Sequence, residues 1–282
     1  MSRIAWMDGA FLPLEDARVP VMDRGFLFGD GIYEVAAVID GRLVDPASHL
    51  ARLDRSAGEV RIALPLPLAG IEAVQRALVA RNALAEGLVY LQLTRGVAER
   101  DFAFPSGVAP TLVMFTQAKP VVDTAAARTG IRVAGVPDLR WARRDIKSVS
   151  LLAQVLAKQA AADAGAQEAW MVEADGLVSE GASSTAWILV GDTLVTRPNS
   201  TAVLPGCTAL AVAALAAEAG LGIERRAFTL AEAKAAREAF ATSASGLVTP
   251  VIAIDGAAVG DGSPGPVARR LRALYLDFAR RG

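Results

Sequence analysis

Apolar residues fall into short runs that predict strands at Ile4–Met7, Ile32–Ile39, Leu88–Leu93, Thr111–Thr116, Ile131–Val136, Glu168–Val172, Thr185–Val190, Ala239–Thr242 and Val251–Ile254. Polar dipeptides punctuate them. Asp8-Gly9, Asp40-Gly41, Asp175-Gly176 and Asp255-Gly256 each sit between apolar runs, and Gly191-Asp192 separates Ala186–Val190 from Thr193–Thr196. Such pairs suit two-residue hairpin turns, because both residue types tolerate positive φ.

Helical periodicity marks other stretches. Asp45-Pro46 reads as an N-cap followed by proline at the first helical position, opening a helix to about Val60. Apolar residues recur at helical spacing in Ile71–Ala85, Ser148–Ala164 (stopped by Gly165), Thr208–Ala219 (stopped by Gly220) and Pro266–Ala279. Hairpins plus separate helices predict an α+β protein with largely antiparallel sheets. The segment from Gln117 to Ala126, with Lys119-Pro120 at its centre, reads as a linker. The expected division is 1–117, a linker at 118–126, and 127–282, with ligand chemistry near the junction.

Bulk properties narrow the function. The 282 residues are 53 % hydrophobic, enough for two modest domains or one large one with a buried core. Lysines and arginines number 29 against 30 acidic residues, with no basic stripe, so nucleic acid is not an expected partner. Cys207 is the only cysteine, which rules out an intrachain disulfide and suits a reducing compartment. The first residues are too polar for a secretory leader and no apolar run is long enough to span a bilayer. A cytoplasmic protein is therefore expected, without metal ligands.

Lysine usage points to chemistry. There are four lysines, Lys119, Lys147, Lys158 and Lys234, against twenty-five arginines. Lys147 lies in Asp145-Ile146-Lys147-Ser148-Val149; a lysine kept where arginine is habitual suggests an amine that must lose its proton and attack a carbonyl. The same residue also fits a solvated lysine at a helix start. Glu180, in Ser179-Glu180-Gly181, offers a carboxylate suited to a pyridinium nitrogen, or is an ordinary acid after a hairpin. Arg52 supplies a cation for a phosphate, and the turn Gly206-Cys207-Thr208 opens a helix whose first N–H groups could cradle one. Thr242-Ser243-Ala244-Ser245 is a second small turn of that kind, or a plain polar loop. The single histidine, His49, reads as structural.

Taken in order, Arg52, Lys147, Glu180, Gly206–Thr208 and Thr242-Ser243 resemble the fold-type IV pyridoxal phosphate enzymes, and within them the D-amino acid transaminases. Met22-Asp23-Arg24-Gly25, Phe28-Gly29-Asp30-Gly31, Leu93-Thr94-Arg95-Gly96 and Leu204-Pro205-Gly206 extend the resemblance along nearly the whole chain. It implies a small N-terminal α/β domain, a larger C-terminal pseudo-barrel domain carrying Lys147, and a homodimer whose sites borrow a loop from the partner. It implies pyridoxal 5'-phosphate held by a Schiff base to Lys147, with Glu180 at the pyridine nitrogen and Leu204 against the ring. Arg52, Ser184, Gly206, Cys207, Thr208, Ser243 and Ala244 would complete the cofactor site. Tyr33, Arg100 and Phe102 would meet the substrate, an amino donor or a 2-oxo acid acceptor.

Three positions depart from the family's pattern. Its substrate loop reads Arg-x-His, whereas this chain has Arg100-Asp101-Phe102. Phenylalanine cannot donate a hydrogen bond, a loss of roughly 1.5–3 kcal/mol for a charge-assisted contact. Ser183-Ser184-Thr185 replaces Ser-Ser-Asn, and Ser243-Ala244 replaces Ser-Thr. The expected activity is transfer between D-amino acids and 2-oxo acids with relaxed carboxylate recognition. An (R)-selective amine transaminase is the alternative favoured by Phe102 and opposed by Arg100. An aminodeoxychorismate lyase, whose loop carries tyrosine at that position, comes third.

Overall fold

The Asp-Gly turns form where the sequence puts them. Asp8, Asp40 and Asp255 take φ of 44°, 51° and 48°, and the glycines after them are also positive, as tight hairpins require. The computed structural model describes residues 2–281. The chain divides into two compact units: one runs to Pro120 and includes Ile146–Ser150, and the other comprises Val121–Asp145 and Leu151–Arg281.

In the first unit the elements are β1 (Ile4–Met7), β2 (Ala10–Pro13), α1 (Arg24–Phe28), β3 (Gly31–Ile39), β4 (Arg42–Leu43), α2 (Pro46–Glu59), α3 (Leu68–Arg81), β5 (Gly87–Thr94) and β6 (Thr111–Ala118). The strands form one antiparallel sheet in the order β2-β1-β6-β5-β3-β4. α2 starts as its sequence predicts, with the Asp45 side chain accepting from the Ser48 N–H and Pro46 at the first turn. Its apolar stripe, Leu50, Leu53 and Ala57, packs with Ile71 and Leu78 of α3 against Ile32, Leu91 and Leu93 of the sheet. α3 ends earlier than the periodicity suggests. The side chain of Asn82, just past its end, accepts from the Ile4 N–H (2.7 Å) and donates to the Ile4 carbonyl (2.8 Å), which locks the helix end to β1.

The strip Ile146–Ser150 departs from expectation. Periodicity starts a helix at Ser148, and the linker division with the family resemblance puts Lys147 within 127–282; the helix starts at Leu152 and the strip groups with the first unit. The cause is main-chain pairing. The Tyr33 N–H donates to the Lys147 carbonyl (2.9 Å) and the Val149 N–H to the Gly31 carbonyl (3.0 Å), while Ile146 is buried in the first unit's core.

The second unit holds α4 (Ala125–Thr129), β7 (Ile131–Pro137), α5 (Leu152–Asp163), β8 (Glu168–Val172), β9 (Val178–Gly181), β10 (Thr185–Val190), β11 (Thr193–Thr196), α6 (Cys207–Glu218), β12 (Gly222–Arg225), α7 (Leu230–Ala235), β13 (Glu238–Ser243), β14 (Leu247–Ile254), β15 (Ala257–Ala258) and α8 (Pro266–Arg281). Its sheet runs β12-β11-β10-β13-β14-β7-β8-β9, with β15 beside β14, and β9 returns next to β10 so that the sheet curls. Three of its pairings are parallel, β7 with β8, β7 with β14 and β11 with β12. Trp187 stacks on Phe240 at 5.6 Å and donates to the Thr242 hydroxyl at 3.0 Å, so a buried indole has both its packing and its hydrogen bond.

Candidate functional site

Main-chain bonds to β3 fix where Lys147 stands. The side chain is half-buried, with Nζ 4.0 Å from the centre of the Tyr33 ring. Tyr33 stacks on Tyr90 (5.8 Å) and Tyr90 on Phe115 (4.9 Å), aromatic residues on one face of three adjacent strands. Burial, with the neighbouring Tyr33, pushes the Tyr90 hydroxyl up to about 12, so it stays protonated, and it donates to Gln92 at 2.8 Å. An amine against an aromatic wall has less competition from water for a carbonyl substrate.

The neighbouring residue on β3 points the other way. Glu34 is fully buried beneath α2, where Arg52 donates from Nε (2.7 Å) and Nη2 (2.8 Å) and His49 Nδ1 lies 2.8 Å away. Burial alone would raise the Glu34 carboxyl. Arg52 and His49 outweigh it and hold the group at about 2. Arg52 is thus oriented by a buried carboxylate, and His49 is part of that support.

In the second unit Glu180 is buried at the end of β9. Arg140 Nη1 donates to it at 2.5 Å, and the Leu204 N–H lies 3.1 and 3.3 Å from its two oxygens. Burial pushes the Glu180 carboxyl above its usual range against the pull of Arg140 and of that N–H. Arg140 is itself held by Asp138; burial would raise that carboxyl too, but bonds from Arg140 and Ser179 keep it at about 2. The carboxyl that holds its proton more tightly is therefore Glu180.

Two residues beyond Leu204, Gly206 is the N-cap of α6. No side chain caps this twelve-residue helix, so the N–H groups of its first turn, Cys207 and Thr208 among them, have no intrahelical acceptor. Ser243 and Ala244 open the turn between β13 and β14; the Ser243 hydroxyl accepts from the Gly246 N–H at 3.0 Å. Arg272 of α8 donates to the carbonyls of Gly246 and Val248, steadying that turn. Ser184 and Ser183 both donate to the buried Glu168 at 3.0 Å, and Lys158 Nζ is 2.9 Å from the same carboxylate. A narrow cleft runs past Glu180, Thr185, Thr196, Leu204 and Gly206.

Arg100 and Phe102 sit in the long connection between β5 and β6. The Arg100 guanidinium lies over Phe28 (5.3 Å) and Phe102 (5.6 Å), and Phe102 is 77 % exposed.

These residues fit pyridoxal phosphate. The second unit alone combines a buried carboxyl whose pKa burial raises, held by Arg140 and suited to a pyridine nitrogen, with a helix N-terminus lacking a side-chain cap, suited to a phosphate. Leu204 links the two, through its N–H to Glu180 and its place two residues before the cap. Sequence reasoning missed Arg140, Asp138, Glu168 and Glu34. Glu34 had a signal, a lone carboxylate in the apolar run of β3, whereas Arg140 is not distinguished locally from Arg143 and Arg144. Among the described residues no group of His, Cys, Asp and Glu could hold a metal, and no helix is long and apolar enough to cross a membrane.

Known proteins resemble this chain along nearly its whole length. A D-alanine aminotransferase of Bacillus licheniformis is 37 % identical over 267 residues, covering 94 % of this chain and 93 % of that protein. One from Staphylococcus haemolyticus is also 37 % identical, over 270 residues, covering 95 % and 94 %. A branched-chain amino acid aminotransferase of Escherichia coli shares the fold with a TM-score of 0.94 at 23 % identity, over 99 % of this chain and 95 % of that one. The sequence profile of class IV amino-transferases matches residues 31–254. With its two-unit fold and a half-buried lysine tied to β3, the chain belongs to the class IV aminotransferase family.

Proposed function

We propose that this aminotransferase moves amino groups between D-amino acids and 2-oxo acids with pyridoxal 5'-phosphate. The observation that carries the reading is its full-length likeness to D-alanine aminotransferases, with a lysine at the aromatic wall of Tyr33 and Tyr90. When bound, the cofactor supplies an electron sink that stabilises negative charge at the substrate α-carbon. Lys147 holds the cofactor through Nζ and then carries the proton to and from that carbon. Glu180 would face the ring nitrogen, held in direction by Arg140 and the Leu204 N–H. The first N–H groups of α6, the Ser243-Ala244 turn and Arg52 take the phosphate. Leu204 supports the ring, and Ser184 stiffens the turn after Glu180 through its bond to Glu168.

The substrate carboxylate goes to Tyr33 and to Arg100 of a partner subunit. Exposed apolar side chains support a homodimer: Val21, Phe26 and Phe102 on the first unit, and Leu152, Val155 and Leu156 along one face of α5. The apolar Phe102 beside Arg100 supports a second reading, in which (R)-amines lacking a carboxylate are also accepted.

Single half-reactions test this. D-alanine should convert the cofactor's absorption to that of its aminated form, L-alanine should not, and (R)-1-phenylethylamine should do so more slowly. Conversion by the amine alone favours the second reading; no conversion by any of the three defeats both. The substitution Phe102→His should lower the half-saturation for D-alanine by about tenfold through one restored charge-assisted bond. An unchanged value would remove residue 102 from the carboxylate contact.

A further inference from the structure

The connection that carries Arg100 and Phe102 has no regular structure, yet it presents a highly exposed phenyl ring. Such a loop holds one conformation only if its main chain is tied down. Arg24, the first residue of α1, does this from below. It is only 3 % exposed and gives Nη1 to the Asp101 carbonyl (2.5 Å), with Nη2 3.5 Å from the Phe102 carbonyl. Its Nε donates to Asp30 at 2.8 Å. Asp30 in turn accepts from Arg95 (2.7 and 3.0 Å), whose guanidinium lies 3.6 Å from the Phe104 ring. The Arg24 guanidinium is also 4.7 Å from Phe28, and Phe28 packs against Phe102 at 5.5 Å.

The brace grips backbone carbonyls, so it sets where residues 101 and 102 run and leaves the Arg100 and Phe102 side chains to meet a ligand. We propose that Arg24, with Asp30 as its counter-ion, is a positioning residue for carboxylate recognition, acting through the loop on the active site of the partner subunit. This rests on the reading that Arg100 serves the partner's site.

Lysine cannot reproduce the planar fork that reaches Asp30 and the loop carbonyls together. Arg24→Lys should therefore raise the half-saturation for D-alanine roughly tenfold. Its kcat and its half-saturation for (R)-1-phenylethylamine should stay near the parent's. Asp30→Asn should show the same selective change, more weakly, and serves if Arg24→Lys does not fold. Equal losses for both substrates would mean a merely structural role and overturn the proposal, as would an unchanged D-alanine half-saturation in either variant.

Mixed dimers test the action across subunits. Co-expressed with differently tagged Lys147→Ala chains, an Arg24→Lys chain supplies the only lysine-bearing site, and that site receives the intact loop of its partner. The hybrid should recover the parental half-saturation; retention of the raised value overturns the proposal. Arg100→Ala paired with Lys147→Ala is the control. If that hybrid also fails to recover, the shared-site reading is what fails, and the proposal falls with it.

Discussion

Alanine at position 147 should lower turnover by about 10³-fold while leaving the protein folded. The effect is large because no other lysine of the chain stands in an equivalent setting. Lys158 is paired with Glu168 and Lys234 with Asp255, each at 2.9 Å. Lys119 lies beside the proline that ends the first unit. Arginine at 147 should be as inactive as alanine, since a guanidinium does not lose its proton at neutral pH. The folded state should persist, because the strip is held through the Lys147 carbonyl and the Val149 N–H, which alanine retains. Steady-state turnover and thermal melting of the variants provide the measure. Borohydride reduction of the parent followed by peptide mass mapping should put the cofactor on residue 147. A cofactor found on another lysine, or alanine protein working within about tenfold of the parent, ends this reading.

Replacing Glu34 with glutamine should destabilise the protein by about 3–5 kcal/mol, the usual cost of breaking a buried ion pair from one side. Glutamine matches glutamate in size but leaves the Arg52 guanidinium buried without its counter-charge. The effect has a defined pH dependence. The Glu34 carboxyl is held at about 2 in the folded protein against an ordinary 4.5. Its stabilisation is complete above pH 4.5 and fades as pH falls toward 2, by roughly 3 kcal/mol over the window. Urea unfolding of parent and variant should show a gap that is wide at pH 7 and closes through this acid range. A gap that stays constant from pH 7 to 3 would mean that Glu34 is not held as a charged group. The same variant should bind the cofactor more weakly, because Arg52 loses the carboxylate that aims it.

Local patterns wrote much of this structure openly. The Asp-Gly turns, the Asp45-Pro46 start of α2 and the long strands β3, β5 and β6 follow from turn chemistry and alternation. The parallel neighbours β7, β8 and β14 do not, since a fully buried strand carries no sign of its partners' direction. Lys147 drew notice in the sequence by its rarity among the cations. Its surroundings were not legible there, because an apolar run after Lys147 reads as helix, whereas pairing with Gly31 and Tyr33 keeps the strip extended as far as Val149. Ser184 was expected at the cofactor; its bond to Glu168 depends on a residue sixteen positions away that sequence spacing does not connect. The carboxylate in β3 was visible, but its meaning became clear only when α2 brought His49 and Arg52 over it.

The strip around Lys147 is anchored to β3 by the Lys147 carbonyl, the Val149 N–H and the buried Ile146, none of which depends on the lysine side chain. A missense change from lysine to alanine at this codon should therefore leave a folded chain. Such an allele would reveal itself only as missing nitrogen traffic, and screens that report on expression or melting would pass it as healthy.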